Sequence, residues 1–292
     1  MASLDEWRAG GRSLELCGHE VFVADLGNPD ADSVLLVLHG FPTSSHDFHA
    51  AAQALAASRR VVFFDFPGYG FSAKPVDHAY SLFEQADVVC ALVQALGVER
   101  PHLLAHDMGT SVACELLARR RNGLLSFEPR SLTLTNGSVY IDMARLTPSQ
   151  RLVRSRFGKW FVRVSTLRTF RMQLRRVLAR PVDEAELESM WTAIRLRDGH
   201  LRIPAIISYI EERTRFRHRW HGALRALDLP AQVLWGTEDP VAVLAIGERL
   251  AAEIPGATLE RLEGVGHYPQ LEAPSAFAEA VNRFVDRVET AA

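Results

Sequence analysis

Short runs made almost entirely of apolar residues recur in this chain, and they constrain the fold more than any other feature. Val34–Leu38 and Val61–Phe64 are unbroken, His102–Ala105 is apolar after its first residue, and Ser131–Thr135 reads as a further strand. Each run is too short for a stable helix. A strand presents alternate residues to opposite faces, so a run apolar at every position reads as a strand covered on both sides. Between these runs lie Phe48–Ala57, Ser81–Leu96 and Thr110–Arg121, with helical composition; the second closes on Gly97, a C-cap residue. Strands that alternate with amphipathic helices imply an α/β protein with a mostly parallel sheet flanked by helices. Leu14–Leu16 and Val21–Leu26, on either side of Gly18-His19, read as an opening hairpin.

The pattern changes near Tyr140. From Arg145 to Arg219 there are 17 arginines and Lys159 against seven acids, about +11 in a chain whose net charge is -2. This stretch reads as helical throughout. The strand pattern returns at Ala231–Trp235, followed by a helix at Val243–Ala252, a strand at Thr258–Leu262 and a last helix at Pro274–Val288. The chain is therefore expected to form one core from residues 1–139 and 226–292, interrupted by a helical lid over residues 140–225. In open sheet proteins such insertions cover the carboxyl ends of the strands, where ligands bind. The arginine-rich lid reads most simply as a solvated helical face. Attraction of an anionic substrate or an acidic lipid surface is the sharper alternative.

Several classes are disfavoured. A near-neutral charge gives no general attraction to nucleic acid. Cys17, Cys90 and Cys114 are few, odd in number and widely spaced, which argues against a disulfide framework and for a reducing compartment. The polar N-terminus does not read as a secretory signal, and no stretch approaches the ~20 apolar residues of a membrane span, so a cytoplasmic location is expected. No His/Cys/Asp cluster has metal-ligand spacing, and no Gly-rich loop is followed by a phosphate-binding Lys. Neither metal nor cofactor is expected.

Leu104-Ala105-His106-Asp107-Met108-Gly109 joins a strand to a helix and carries the main chemical signal. A nucleophile elbow needs small residues on both sides of the nucleophile, because the strained turn brings neighbouring backbone close. Ala105 and Gly109 supply them, and Asp107 stands at the centre. The plainer reading is an aspartate at a helix N-terminus. Asp239, in the loop after Ala231–Trp235, and His267, between small residues in Gly264-Val265-Gly266-His267, complete the order nucleophile, acid, base. Glu238 competes with Asp239 for the acid role.

From Val34 to Val288 the chain resembles the α/β-hydrolase superfamily, and its Asp nucleophile is similar to that of the epoxide hydrolase and haloalkane dehalogenase branch. The runs His39–Ser45, Ser81–Gln85, His106-Asp107 with Gly109, Trp191 with Asp198-Gly199, Phe216–Trp220 and His267–Glu272 resemble the mesoderm-specific transcript protein family. That resemblance implies an epoxide-hydrolase-like activity and leaves the substrate open.

An aspartate at the elbow is already ionised at neutral pH, so it can displace a leaving group from saturated carbon without a base. Water deprotonated by His267 would then cleave the resulting ester. The N–H groups of Phe41 and Met108 are the expected oxyanion donors. An epoxide leaves as an alkoxide that needs a proton, which lid tyrosines supply in the epoxide hydrolases this chain resembles. Tyr209 matches the second of these; the first has no clear equivalent, with Trp160 or Tyr140 as the candidate substitutes. Dehalogenases of the branch cradle the halide with an Asn in the oxyanion loop and a Trp after the nucleophile. Here those positions hold Phe41 and Met108, which offer no side-chain donor. Candidate pocket residues are His39, His106, Trp160 and Trp191. Plainer roles stand beside them: His39 shaping the oxyanion loop, His106 packing under the elbow, and Trp191 with Trp220 in the lid core. The expected partner is a small hydrophobic electrophile, an epoxide or a haloalkane. A non-catalytic scaffold for a ligand or partner protein is the reading from another class.

Overall fold

The computed structural model describes residues 2–291. Eight strands form one sheet: β1 Gly11–Leu16, β2 His19–Leu26, β3 Val34–Leu38, β4 Arg60–Phe64, β5 His102–His106, β6 Ser131–Thr135, β7 Ala231–Gly236 and β8 Thr258–Leu262. Their order is β1-β2-β4-β3-β5-β6-β7-β8, with β1 and β2 antiparallel to their neighbours and every other pair parallel. This is the α/β-hydrolase architecture, with a helical insert between β6 and β7.

Alternation along the strands sorts the core into two layers. Leu36, Leu38, Val62 and Phe64 pack with the helices Leu82–Ala95 and Met108–Arg121. Leu35, Val37, Val61 and Phe63 pack on the other face with His49–Leu55 and Pro274–Ala291. Burying one such side chain stabilises the fold by about 1.5–3 kcal/mol. Both layers together hold the sheet as a rigid base for the loops at its carboxyl edge.

The chain leaves β3 toward β4 on one side and returns to β5 on the other, which opens a crevice beyond the carboxyl ends of β3 and β5. Leu38 pairs with Ala105 across these strands, so the segment after β3 lies beside the segment after β5. Two glycines permit the approach. A Cβ at Gly40 would stand 2.8 Å from the Asp107 Cβ, and one at Gly109 only 2.3 Å from the Leu38 carbonyl oxygen.

Some elements differ from the sequence reading. The expected helix at Phe48–Ala57 is a 3-10 turn, Ser45–Phe48, running into His49–Leu55. The helix after β5 begins at Met108, directly behind Asp107. A short helix at Leu4–Ala9 was not expected; it buries only Trp7, so it shows no periodicity, and it starts from a capping box of Ser3 and Glu6. Another, Pro269–Glu272, comes after His267.

Between β6 and β7 lie seven α-helices, from Pro148–Val153 to Arg217–Arg225, and no strand. The insert is latched to the core by Glu115, which is 1% exposed on the helix Met108–Arg121. Arg219 donates to Glu115 at 2.7 and 2.9 Å, and the Trp220 indole at 3.0 Å. Burial alone would raise the pKa of Glu115; hydrogen bonds from Arg219, Trp220 and Arg119 outweigh it and hold the carboxyl below its ordinary range. Other insert arginines pair with acids, Arg154 with Glu211 and Arg197 with Glu20 among them. No helix among the described residues is long and apolar enough to cross a membrane. Cys17, Cys90 and Cys114 are all free thiols.

Candidate active site

Asp107 ends β5 with φ 44° and ψ -109°, a conformation that an L-residue adopts only when its surroundings impose it. Bonds to its carbonyl and the close approach of Gly40 and Gly109 impose it here. Thr110 Oγ1 donates to that carbonyl at 2.6 Å and Arg213 Nη2 at 2.9 Å. The strained turn projects the carboxylate into the crevice. Oδ2 accepts the Phe41 N–H at 2.9 Å. Oδ1 takes no hydrogen bond among the described residues, and Arg213 Nη2 stands 3.7 Å away. Met108 opens the next helix, where its N–H has no intrahelical acceptor. That N–H makes no bond to the carboxylate.

His267 lies in the loop after β8. Its Nδ1–H donates to Asp239 Oδ2 at 2.6 Å. Asp239 also accepts Val241 N–H at 2.8 Å and Ala242 N–H at 3.0 Å on Oδ1, and the Asn136 amide at 2.8 Å on Oδ2. Glu238 takes no part in these contacts. Burial alone would lower the imidazole pKa; the charge and hydrogen bond of Asp239, with Asp107 and Glu272 beyond, raise it to about 9. The bond to Asp239 leaves Nε2 as the free ring nitrogen.

Asp107 and His267 share a cavity of about 120 Å³. Its wall is mostly apolar, with Phe41 and Val241 from the core and Val153, Phe161, Val162, Phe170, Leu174, Trp191 and Ile194 from the insert. Such a pocket suits an apolar ligand held by few polar contacts.

Not every candidate reaches this cavity. Trp191 lines it, whereas Trp160 is 65% exposed and lies outside it. Successive helix residues are turned by about 100°, so Phe161 and Val162 face in where Trp160 faces out. His39 is fully buried below the oxyanion loop; it accepts the Phe66 N–H at Nε2 and donates from Nδ1 to the Gly40 carbonyl. His106 is equally buried and donates from Nε2 to the His267 carbonyl at 2.8 Å. Both are supports and not pocket walls. Tyr140 is turned away, its hydroxyl donating to Glu253 at 2.6 Å and its ring lying under Arg249. It is therefore unavailable to a substrate. Tyr209 packs against Phe41, with ring centroids 5.6 Å apart, and carries the Arg213 guanidinium 4.6 Å from its ring centroid. It is close to Asp107, behind the cavity wall.

Four residues around the site escape sequence reasoning. Arg213, 2% exposed, bonds Ser111 and the Asp107 carbonyl, but in the sequence it is one arginine among many. Asn136 comes directly after β6 at φ 43° and fixes Asp239; an Asn-Gly pair after a strand is its only signal. Tyr268 lines the cavity next to His267. Glu272 ties the His267 loop to the insert, accepting the N–H groups of Gly266, Tyr268, Ala179 and Arg180.

Comparison with known proteins adds the family context. The family described as "alpha/beta hydrolase fold" matches residues 33–274. A protein named "Putative hydrolase LipZ" from Mycobacterium tuberculosis is 42% identical over 281 residues, covering 95% of this chain and 96% of that protein. The mesoderm-specific transcript homolog protein of Bos taurus is 37% identical, over 97% of this chain and 88% of its own length. Haloalkane dehalogenase DbeA from Bradyrhizobium elkani superposes with a TM-score of 0.80 over 97% of this chain and 99% of its own, at 24% identity, a likeness of fold.

Proposed function

The chain belongs to the α/β-hydrolase family, and from that premise we propose that it is a hydrolase with Asp107 as nucleophile, opening an epoxide to a diol beneath a lid formed by residues 140–225. One observation carries this reading. The Asp107 carboxylate has one oxygen on the Phe41 N–H and the other unbonded, at an apolar cavity that it shares with an Asp239-bound histidine.

In the first step Oδ1 attacks an epoxide carbon, the ring C–O bond breaks, and an ester of Asp107 forms. The ring oxygen leaves as an alkoxide and must take a proton. Tyr268, which lines the cavity, is the phenol assigned to give it; burial raises its pKa, so it holds the proton at neutral pH until the alkoxide forms, whereas Tyr209 stands behind the wall. In the second step a water gives its proton to His267 Nε2 and its oxygen attacks Cγ of the ester. The oxyanion develops on Oδ2, where the Phe41 N–H already points. Such a donor typically contributes about 3 kcal/mol. Collapse breaks the Cγ–Oδ1 bond, the departing oxygen takes the proton from His267, and the new Asp107 carboxyl returns its own proton to the imidazole, leaving the diol and an Asp107 carboxylate with one oxygen from water.

The charge changes favour this order. While Asp107 is ionised it helps to hold His267 protonated. Esterification removes that charge and lowers the imidazole pKa, so the imidazolium gives its Nε2 proton to the phenolate left by ring opening and becomes the base that the second step needs.

Halide displacement would run on the same three residues and is the second reading, favoured by Trp191, the one indole in the cavity wall. Phe41 and Met108 contribute no side-chain donor to a departing halide, so the epoxide reading stands first.

Asp107→Ala should abolish turnover of epoxides, and His267→Gln should accumulate an adduct on Asp107 visible by mass spectrometry. A single turnover in heavy-oxygen water should place the label in the Asp107 side chain. Epoxide hydrolysis that survives Asp107→Ala would overturn the reading, and halide release with no diol formation would replace it with the second.

A further inference from the structure

Away from the cavity, His46 and His49 stack in parallel, with ring centroids 4.4 Å apart and planes 7° from parallel. Glu186, from the insert helix Glu184–Arg195, reaches down to both. His46 is 2% exposed, and the Glu186 side chain 14%.

The hydrogen bonds around the two rings determine their tautomers. His46 Nε2 lies 3.2 Å from the Ala2 carbonyl oxygen, and His49 Nδ1 lies 3.0 Å from the His46 carbonyl oxygen. A carbonyl only accepts, so these two nitrogens carry the protons. The remaining nitrogens, His46 Nδ1 and His49 Nε2, therefore present lone pairs, and both are directed toward the Glu186 carboxylate. His46 Nδ1 and Glu186 Oε1 are buried without any hydrogen-bond partner. Three electron-pair donors thus converge with nothing between them.

We propose that His46 Nδ1, His49 Nε2 and Glu186 bind one divalent transition-metal ion, zinc by its ligand chemistry, which clamps the lid to the core. Two imidazoles and one carboxylate suit zinc, whereas magnesium and calcium take oxygen ligands. Ligand atoms about 2.1 Å from a tetrahedral ion lie about 3.4 Å from one another. Here His49 Nε2 is 3.2 Å and His46 Nδ1 3.8 Å from the Glu186 oxygens, and one atom from each residue falls within a 4.8 Å group. Backbone carbonyls on the second ring nitrogens are the outer-shell partners that orient metal-bound histidines. His49 also borders a surface hollow of about 450 Å³. Trp191 stands on the same insert helix as Glu186 and lines the catalytic cavity, so the clamp holds one wall of that cavity in place.

A second trio, His19, His78 and Glu84, serves as the control. Its carboxylate already lies in hydrogen-bonding geometry with both rings, at 3.2 and 2.6 Å, and none of its atoms is orphaned.

The test is calorimetric titration of zinc chloride into the untagged, chelator-treated 292-residue chain, with thermal unfolding measured in parallel. The parent is expected to bind one zinc per chain and to unfold at a higher temperature with zinc than without. His49→Ala and Glu186→Gln should each weaken binding by about 100-fold or more and lose the thermal shift. Their metal-free melting curves show whether they fold. His78→Ala should bind as the parent does. Cobalt in place of zinc should give the visible absorption of a four-coordinate site in the parent and in His78→Ala only. Absence of saturable zinc binding, binding unchanged in Glu186→Gln, or binding lost in His78→Ala would each overturn the proposal.

Discussion

Asp239→Asn keeps the shape of the side chain and removes its charge, so its effect depends on which contacts of Asp239 need that charge. Oδ1 accepts two backbone N–H groups, from Val241 and Ala242, which an amide oxygen can still satisfy. Oδ2 accepts His267 Nδ1–H at 2.6 Å and the Asn136 amide at 2.8 Å. An amide nitrogen in that place meets two donors. The imidazole is driven to its other tautomer, with the proton on Nε2, the atom that must receive a proton from water. Without the Asp239 charge and hydrogen bond, burial is opposed only by Asp107 and Glu272, and the imidazole pKa falls from about 9 toward its ordinary 6.5. At about 1.4 kcal/mol per pKa unit, the imidazolium loses on the order of 3 kcal/mol of stabilisation. Ester hydrolysis should fall by about 10³–10⁴-fold, the scale typical of this substitution in a catalytic triad. Alkylation of Asp107 needs no base and should change far less. Rapid-quench mass spectrometry with a reactive epoxide reads both steps. The variant should show a burst of Asp107 ester equal to the enzyme concentration and then a stalled plateau. A kcat within tenfold of the parent, or a burst slowed as much as kcat, would refute the assignment of His267 and Asp239 to the second step.

The same ion pair predicts a pH dependence of stability. His267 is raised in the folded state, so its contribution is complete below the unfolded pKa near 6.5 and disappears as pH rises through about 9. Urea unfolding between pH 6 and 10 should therefore show the parent losing on the order of 3 kcal/mol relative to Asp239→Asn, and parallel curves would refute the coupling. Glu115→Ala removes the latch for Arg219 and Trp220 and should cost about 3 kcal/mol, at the low end for a buried pair because Arg219 is 33% exposed. Glu115 is held below its ordinary range, so this contribution is present above that range and fades as pH falls through the folded pKa. Equal acid sensitivity of parent and variant would count against it.

The sequence made the sheet and the site differently visible. Strand β3 has the limits its apolar run implied, because a strand covered on both faces must be apolar along its own length; β6 and β8 also keep the limits read for them, although Ser131–Thr135 and Thr258–Leu262 mix polar and apolar residues. The small residues around Asp107 were legible for a related reason: Gly109 stands where any Cβ would strike the Leu38 carbonyl, so the constraint is local and steric. The insert was less open to reading. Its helices could be recognised, but Trp160 and Trp191 occupy similar apolar-periodic segments and only Trp191 turns to the cavity. Tyr140 and Tyr209 are both candidates by sequence, and the contact with Glu253 sets the first aside.

Periodicity and residue size therefore determined most of the sheet, the longer helices around it and the tight turn at Asp107, because each depends on neighbours a few residues away. Tertiary structure decided what depends on distant neighbours. It brought Arg213 beside the Asp107 carbonyl, Asn136 to Asp239, and Glu186 between His46 and His49. Side chains so far apart in the chain meet only through the packing of whole helices, and no local pattern encodes the direction in which a short insert helix will point.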